Sequence, residues 1–244
     1  MEKIPALGLF VTGADTDVGK TYVSALIAAE LRAAGHRVGV YKPVASGCVV
    51  DGDNLVASDA VALWNAADQP LTLDAVCPQR FAAPIAPHLA AIAEGKILDA
   101  DLARGGLIAW TPHCDIVVVE GAGGLMSPID EEEYVADLAF DFGYPLVVVA
   151  NNVVGAINQT LQTLITATNF REGLPVGAVV LNDVSANLDS AADSNLEQVV
   201  PVLRALCSVG CGIKVHSWMI QLIGTNLQRD ECHPPFERVP QSYD

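Results

Sequence analysis

A segment near the amino terminus constrains the fold of this chain more than any other feature. It runs from Gly13 to Thr21, reads Gly-Ala-Asp-Thr-Asp-Val-Gly-Lys-Thr, and lies between an apolar run from Gly8 to Thr12 and an alanine-rich helical pattern. In this setting the glycines let backbone N–H groups converge on phosphate oxygens, and the helix N-terminus adds a partial positive charge. Lys20 is expected to neutralise the β and γ phosphates, and Thr21 to place its hydroxyl on Mg²⁺. The segment therefore predicts a phosphate-binding loop, with a loop that merely turns the chain as the alternative.

The predicted loop is unusually acidic for a site that holds a triphosphate. Asp15 and Asp17 both lie inside it, and five residues separate its outer glycines, where the common pattern has four. Mg²⁺ and Lys20 must offset the two carboxylates. Asp17 is expected to face the sugar or another part of the ligand, whereas the alternative for Asp15 is that it only forms a turn.

Short apolar runs alternate with helical patterns along the chain, which favours a parallel sheet covered on both faces. The prediction is an α/β fold with a mainly parallel sheet and helices on both faces. A single domain is expected over residues 1–206, followed at residues 207–244 by an atypical tail of uncertain structure, without a convincing strand signal. Further strands are predicted at residues 37–41, 115–119, 145–150 and 176–181, and helices after Lys20 and at residues 57–67, 157–170 and 195–206.

The net charge of −16 limits the partners that the protein can have. So acidic a chain repels phosphate backbones and anionic membranes, and therefore neither nucleic-acid binding nor membrane binding is expected. Apolar residues make up 51% of the chain, which is typical of a globular protein, and no uncharged apolar run is long enough to span a bilayer. The six cysteines show no regular spacing, and the first residues carry too short an apolar segment for a signal peptide. A cytoplasmic location with reduced thiols is expected.

Three further charged side chains are expected where the strands of the sheet end, which is where ligands bind in such folds. Lys42 and Glu120 each follow a predicted strand, and Asp59 begins a predicted helix. Beside a phosphate loop, Lys42 is a candidate for stabilising a phosphoryl-transfer transition state, and the two carboxylates are candidates for binding a metal ion. The alternatives are a solvated lysine, a helix-capping aspartate and a solvated glutamate before a flexible turn.

Together these motifs resemble those of the dethiobiotin synthetase family, which belongs to the P-loop NTPase superfamily. The resemblance runs from about residue 8 to about residue 203 and keeps the family's order. It implies a P-loop NTPase fold, a homodimer and an ATP-dependent ligase of biotin biosynthesis. The matching segments are Gly13 to Thr21, Lys42-Pro43-Val44-Ala45-Ser46-Gly47, Ser58-Asp59, Glu120-Gly121-Ala122-Gly123-Gly124 and Asn182-Asp183.

The resemblance also implies a role for individual residues. Lys20 and Lys42 would be the catalytic lysines. Asn182 would read the adenine edge with its amide, which both donates and accepts hydrogen bonds, or else would be only a turn residue. The residues that would hold Mg²⁺ are Thr21, Asp59 and Glu120. Those that would bind the nucleotide are Asp17, Val18, Gly19, Lys20, Thr21, Tyr22, Asp59, Glu120, Gly121, Ala122, Gly123, Asn182 and Asp183. Those that would contact the diamine are Thr16 and Ser46, with Gly155 and Asn158, in a dimer-facing helix start, near its carboxylate.

The implied reaction joins 7,8-diaminononanoate and CO₂ at the expense of ATP, with Mg²⁺ as cofactor. One amine attacks CO₂ to give a carbamate, and a carbamate oxygen takes the γ-phosphoryl group of ATP to give a mixed anhydride. The second amine then attacks the same carbon and closes a ureido ring. The protein is expected mainly to position groups and to neutralise charge, as phosphoryl transfer demands.

Two other functions stay open at the level of the sequence. A switch ATPase of the chromosome-partitioning or division-site class shares the fold, but it carries a signature lysine after the loop's first glycine, where this chain has Ala14. After Leu203 the chain reads Arg204-Ala205-Leu206-Cys207, whereas the family has a glycine, an apolar residue and a proline beside the adenine. The second alternative is therefore an inactive nucleotide-binding relative.

Overall fold

The computed structural model describes residues 4–52, 54–183 and 220–223 of the chain. Ten strands lie in these residues: β1 (Gly8–Gly13), β2 (Val38–Tyr41), β3 (Val44–Ala45), β4 (Val49–Asp51), β5 (Asn54–Val56), β6 (Gln79–Arg80), β7 (Ile116–Gly124), β8 (Leu146–Asn151), β9 (Val176–Asn182) and β10 (Ile220–Ile223). Six strands form one parallel sheet in the order β10-β9-β8-β1-β7-β2. Two small sheets pair β3 with β6 and β4 with β5.

Seven α-helices and a short 3-10 helix connect these strands within the described residues. The α-helices are α1 (Lys20–Ala33), α2 (Ser58–Ala66), α3 (Leu73–Val76), α4 (Pro87–Ala93), α5 (Ala100–Gly105), α6 (Val135–Phe142) and α7 (Ala156–Asn169), and the 3-10 helix covers Gly106–Trp110.

The strand β8 shows why the inner strands of this sheet have continuous apolar sequences. Every residue from Leu146 to Ala150 is buried. Successive side chains of a strand point to opposite faces of the sheet, so unbroken burial means that both faces are covered. The main core cluster includes β8 together with buried residues of β1, β7 and β9.

The connections between the strands place helices on both faces. From β1 the chain passes through α1 to β2, whereas from β7 and β8 it passes through α6 and α7 towards the opposite edge of the sheet. Since such crossovers are right-handed, α1 covers one face and α6 and α7 cover the other. The predicted α/β fold is therefore confirmed. The loop after β1 lies where the direction of strand addition reverses, which is the usual ligand position in such sheets.

The predicted strands and helices that fall in the described residues are present, and most of their ends lie within two residues of the prediction. The strand β7 is the exception, since it was predicted to stop at Val119 and instead continues through Gly124. Its added residues follow the edge of β1, with Gly13 paired to Gly124. Glu120 therefore lies inside a strand that is paired on both sides, and its interpretation as a solvated residue before a flexible turn is wrong.

The tail contains a strand that the sequence did not predict. Ile220–Ile223 forms β10, which pairs in parallel with β9, Leu222 lying opposite Leu181. A four-residue apolar run interrupted by a glutamine is too short to show a period, and its pairing with β9 is what makes it a strand. The expected helix at residues 195–206 lies outside the described residues, and the division of the chain at residue 206 stays a prediction.

Three cysteines lie in the described residues as buried free thiols, namely Cys48, Cys77 and Cys114. Burial raises the pKa of the Cys77 thiol to about 12, which keeps it protonated and unreactive near neutral pH. Within the same residues, no helix combines the length and the apolar character needed to cross a membrane.

The packing of α6 against the sheet can be tested by a substitution at Leu138, which is 1% exposed and belongs to the main core cluster. We expect Leu138→Ala to lower the free energy of unfolding by about 2 to 5 kcal/mol, because it removes buried methyl groups and leaves a cavity. Urea unfolding followed by circular dichroism measures the change. The control is Leu89→Ala in α4, where the leucine is 50% exposed; its effect should stay within about 0.5 kcal/mol. Equal losses in the two variants would contradict the core position of Leu138.

Candidate active site at the carboxyl ends of the strands

A cleft of about 350 Å³ opens at the edge of the sheet where β1, β2 and β7 end. It brings together the phosphate loop, the residues after β2 and β3, the first turn of α2 and the end of β7. The predicted site residues that line it are Thr16, Asp17, Gly19, Lys20, Thr21, Lys42, Ser46, Asp59, Glu120, Ala122 and Gly123. Ala45 also lines the cleft and was not predicted as a site residue.

The phosphate loop is tightly folded around the Lys20 side chain. A Cβ atom on Gly13 would lie 2.4 Å from the carbonyl oxygen of Asp15 and 3.2 Å from the Lys20 Nζ, so this position requires glycine. Gly19 has a φ of 87° and leads directly into α1, and Asp17 has a φ of 56°. A left-handed conformation is unfavourable for a residue with a Cβ atom, so the loop stores some strain at Asp17. Lys20 is 7% exposed, and its Nζ lies 3.5 Å from the Asp15 carbonyl oxygen.

The Lys42 ammonium is held between two carboxylates. Its Nζ lies 2.5 Å from Oε1 of Glu120 and 3.0 Å from Oδ2 of Asp59. The Glu120 side chain is fully buried, whereas that of Asp59 is 43% exposed. The Thr21 hydroxyl donates to the same Oε1 of Glu120 at 2.9 Å. Residues from β7, the end of β2, α1 and α2 therefore meet around one carboxylate oxygen.

Burial and the neighbouring charges oppose each other at these groups. Burial lowers the pKa of Lys42, but the carboxylates of Glu120 and Asp59 raise it further, so the net shift is upward and the ammonium stays charged. Burial and the positive charge of Lys42 together lower the pKa of Lys20, against the opposing effect of the nearby carboxylates. Burial raises the pKa of Asp59, but Lys42 lowers it more, so this carboxyl stays ionised at neutral pH.

One oxygen of Glu120 is buried without a partner. Oε2 has no hydrogen-bond partner among the described residues, although the side chain is fully buried and lines the cleft. Such an oxygen costs free energy unless a ligand satisfies it. Together with the Asp59 carboxylate and the Thr21 hydroxyl, it makes up a set of hard oxygen donors, the chemistry that Mg²⁺ prefers. The residues present therefore fit a magnesium ion.

The glycine-rich end of β7 brings Ser127 next to the cleft. The Ser127 hydroxyl accepts a hydrogen bond from the Gly124 N–H at 2.8 Å. A Cβ atom on Gly123, where φ is 69°, would lie 2.3 Å from that hydroxyl. Sequence reasoning missed Ser127, because a single serine in a turn carries no pattern that marks it.

The two predicted adenine-side residues lie outside the cleft lining. Asn182 is 4% exposed, and its Nδ2 donates to the carbonyl oxygen of Val18 at 2.9 Å, so the end of β9 supports the phosphate loop. Asp183 accepts a hydrogen bond from Nδ2 of Asn152 at 2.9 Å. Val18 itself is 2% exposed and belongs to the main core cluster.

Four other predicted residues also lie outside the lining. Tyr22 is 46% exposed on α1. Gly121 is buried in β7, where a Cβ atom would lie 2.8 Å from the Val135 side chain. Gly155, with a φ of 97°, is the N-cap of α7, and Asn158 is exposed in the first turn of that helix.

The comparisons with known proteins agree on one family. A family model described as an AAA domain matches residues 7–211. The ATP-dependent dethiobiotin synthetase BioD of Rhodopirellula baltica is 39% identical over 211 residues, which cover 82% of this chain and 80% of that protein. Enzymes with the same name from Anaeromyxobacter sp. and Aeromonas hydrophila are 40% identical (80% of this chain, 85% of that protein) and 36% identical (81% of this chain, 84% of that protein).

The support that Asn182 gives to the loop can be tested by removing its amide. We expect Asn182→Ala to lower the free energy of unfolding by about 1 to 3 kcal/mol, because the Val18 carbonyl loses its buried donor. The control is Asn169→Ala, since Asn169 makes the same kind of amide–carbonyl bond at an exposed position of α7. Its effect should stay within about 0.5 kcal/mol in urea unfolding. An Asn182→Ala variant as stable as this control would show that the buried bond contributes little.

Proposed function

The chain belongs to the family of ATP-dependent dethiobiotin synthetases, and we propose that its cleft closes a ureido ring on 7,8-diaminononanoate with CO₂ and ATP. The single observation that carries the proposal is the buried Lys42 ammonium, held by Glu120 and Asp59 beside the phosphate loop. This arrangement sets two cations and oxygen ligands around one space that can accept a polyphosphate.

The proposed reaction has three steps. An amine nitrogen of the diamine forms a bond to the carbon of CO₂ and loses a proton, which gives a carbamate. A carbamate oxygen attacks the γ-phosphorus of ATP and the bond to the β-phosphate oxygen breaks, which gives a carbamic–phosphoric anhydride and ADP. The second amine attacks the anhydride carbon, loses a proton and expels inorganic phosphate, which closes the ring.

The two lysines are proposed as the catalytic residues because the second step concentrates negative charge. Lys20 would bind the β and γ phosphates, and Lys42 would lie near the carbamate oxygen and the γ-phosphoryl group. Since the pKa of Lys42 is raised, this side chain acts as a fixed positive charge and not as a proton acceptor. Both ammonium groups are held by neighbouring carboxylates or carbonyl oxygens before any substrate binds, so little reorganisation is needed.

A magnesium ion bound by Thr21, Asp59 and Glu120 would supply further positive charge beside the phosphates. In the proposed site Thr21 offers its hydroxyl and Glu120 its Oε2, which has no hydrogen-bond partner in the described part of the chain. Asp59 offers a carboxylate whose lowered pKa keeps it ionised and able to bind a cation.

The remaining nucleotide contacts are proposed from the family resemblance. The backbone from Asp17 to Thr21 would surround the phosphates, with Tyr22 next to it. The backbone of residues 121–123 would approach the ligand closely. Asn182 and Asp183 would meet the adenine; the Asn182 Oδ1 can still accept a hydrogen bond from the base, since the Val18 carbonyl engages only its Nδ2.

The diamine is proposed to lie across the cleft from the phosphate loop. Thr16 and Ser46 line the cleft on its two sides and would contact the diamine or its carbamate. Gly155 and Asn158 begin α7, and a helix N-terminus favours an anion such as the substrate carboxylate. We propose that the enzyme works as a homodimer in the cytoplasm, with small-molecule substrates and without nucleic-acid or membrane partners.

The alternative functions are less well supported. The curated relatives favour the ligase over a switch ATPase, and Ala14 stands where the signature lysine of that class is expected. An inactive relative predicts nucleotide binding without product, so an assay of the full chain distinguishes it from the ligase.

We expect the full chain to form dethiobiotin from 7,8-diaminononanoate, bicarbonate, ATP and Mg²⁺, with Lys42→Met reducing kcat by about 100-fold or more because a transition-state charge is lost. Mass spectrometry measures the product, and calorimetry checks that Lys42→Met still binds ATP. Lys96→Met is the matched control, since the Lys96 ammonium is exposed and pairs with Glu94. ATP hydrolysis without ureido product in the unsubstituted chain would reject the proposal.

We expect removal of Mg²⁺ by EDTA to abolish product formation, and Glu120→Gln to raise the magnesium concentration for half-maximal rate by about tenfold or more. The reason is that an amide is a weaker magnesium ligand than a carboxylate. Initial rates over a magnesium titration at saturating substrates provide the measurement. An unchanged magnesium dependence in Glu120→Gln, with circular dichroism like that of the unsubstituted chain, would remove Glu120 from the proposed metal ligands.

A further inference from the structure

A hydrogen bond links α7 to the phosphate loop and has no part in the chemistry proposed above. Gln159, at the end of the first turn of α7, donates from Nε2 to Oδ2 of Asp15 at 3.1 Å across 144 residues of sequence. The other carboxylate oxygen of Asp15, Oδ1, accepts the backbone N–H of Thr16 at 2.7 Å. Both oxygens of this carboxylate are therefore engaged, one inside the loop and one by the helix.

Asp15 is also fixed by its backbone. Its carbonyl oxygen lies 3.5 Å from the Lys20 Nζ. The same carbonyl oxygen lies so close to Gly13 that a Cβ atom there would be 2.4 Å away. A change in the direction of the Asp15 side chain would therefore disturb the part of the loop that surrounds the Lys20 ammonium.

The two aspartates of the loop differ in their relation to the cleft. Asp17 and Thr16 line it, whereas Asp15 is absent from its lining among the described residues. A carboxylate turned into the cleft would lie beside the phosphates of a bound nucleotide and repel them, and the repulsion is stronger where the dielectric constant is low. The Thr16 N–H and the Gln159 amide engage the Asp15 carboxylate away from that position.

We propose that Gln159 is a positioning residue that keeps the Asp15 carboxylate outside the cleft and thereby strengthens the binding of a nucleoside triphosphate to the loop. The inference rests on the proposed binding of ATP at this site. It also explains how the loop can carry an additional acidic residue and still hold a triphosphate. The amide of Gln159 is neutral, so it can hold the carboxylate without competing with Lys20 for the phosphates.

The test is a double-mutant cycle on the full chain, with the dissociation constant of MgATP measured by calorimetry. Gln159→Glu replaces the donor by a carboxylate that repels Asp15, and we expect it to weaken MgATP binding by about tenfold. In the Asp15→Asn background the same change should cost less than about threefold, because the new amide at position 15 can donate to the new carboxylate at position 159. Asparagine at position 15 still offers an oxygen to the Thr16 N–H.

The matched control is Gln162→Glu, which adds the same charge to the same helix at an exposed position. It should change the dissociation constant by less than about twofold in either background, because an exposed charge is well screened. Circular dichroism checks that every variant is folded. An equal cost of Gln159→Glu in both backgrounds, or no cost in either, would overturn the inference.

The outcomes also separate this inference from the proposed function. If the cycle shows the expected coupling but the chain forms no dethiobiotin, only the proposed reaction fails. If dethiobiotin forms but the cycle shows no coupling, only the role of Gln159 fails. If MgATP does not bind at all, both fail.

Discussion

The buried ion pair between Lys42 and Glu120 is the interaction on which the geometry of the cleft depends. Moving either charge from water into the protein costs several kcal/mol, and the cost is offset only while the two groups stay together with further hydrogen bonds. The pair joins the end of β2 to β7, and its neighbours Asp59 and Thr21 add the first turns of α2 and α1. Four elements are thus held in one arrangement before a ligand arrives, which suits a reaction whose main demand is a fixed pattern of charge.

Much of this arrangement could be predicted from the sequence because it follows from local patterns and one rule of topology. The segment from Gly13 to Thr21 shows its strand, glycines and helix in order, so its structure was predictable without knowledge of any other part of the chain. Lys42 and Glu120 each follow an apolar strand, and parallel strands end at the same edge of a sheet. Their proximity follows, although the bond of 2.5 Å between them does not.

The features that sequence reasoning missed all depend on contacts between distant segments. The extension of β7 to Gly124 depends on pairing with β1, and β10 depends on pairing with β9. The contact of Gln159 with Asp15 joins residues that share no pattern, since a glutamine on a helix and an aspartate in a loop are both ordinary where they stand. The roles of Asn182, Gly155 and Asn158 stay predictions, because they concern ligand contacts and not the packing of the chain.

The central position of β1 has a consequence for how the protein is made. Its neighbours in the sheet are β7 and β8, with Gly8 opposite Val117 and Phe10 opposite Leu146. At a synthesis rate of about 5 to 20 residues per second, the first strand leaves the ribosome roughly ten seconds before its partners exist. During that interval an apolar segment has nothing to pair with, so the nascent chain is a candidate for chaperone binding, and the loop after β1 cannot reach its final shape until more than half of the polypeptide has been translated.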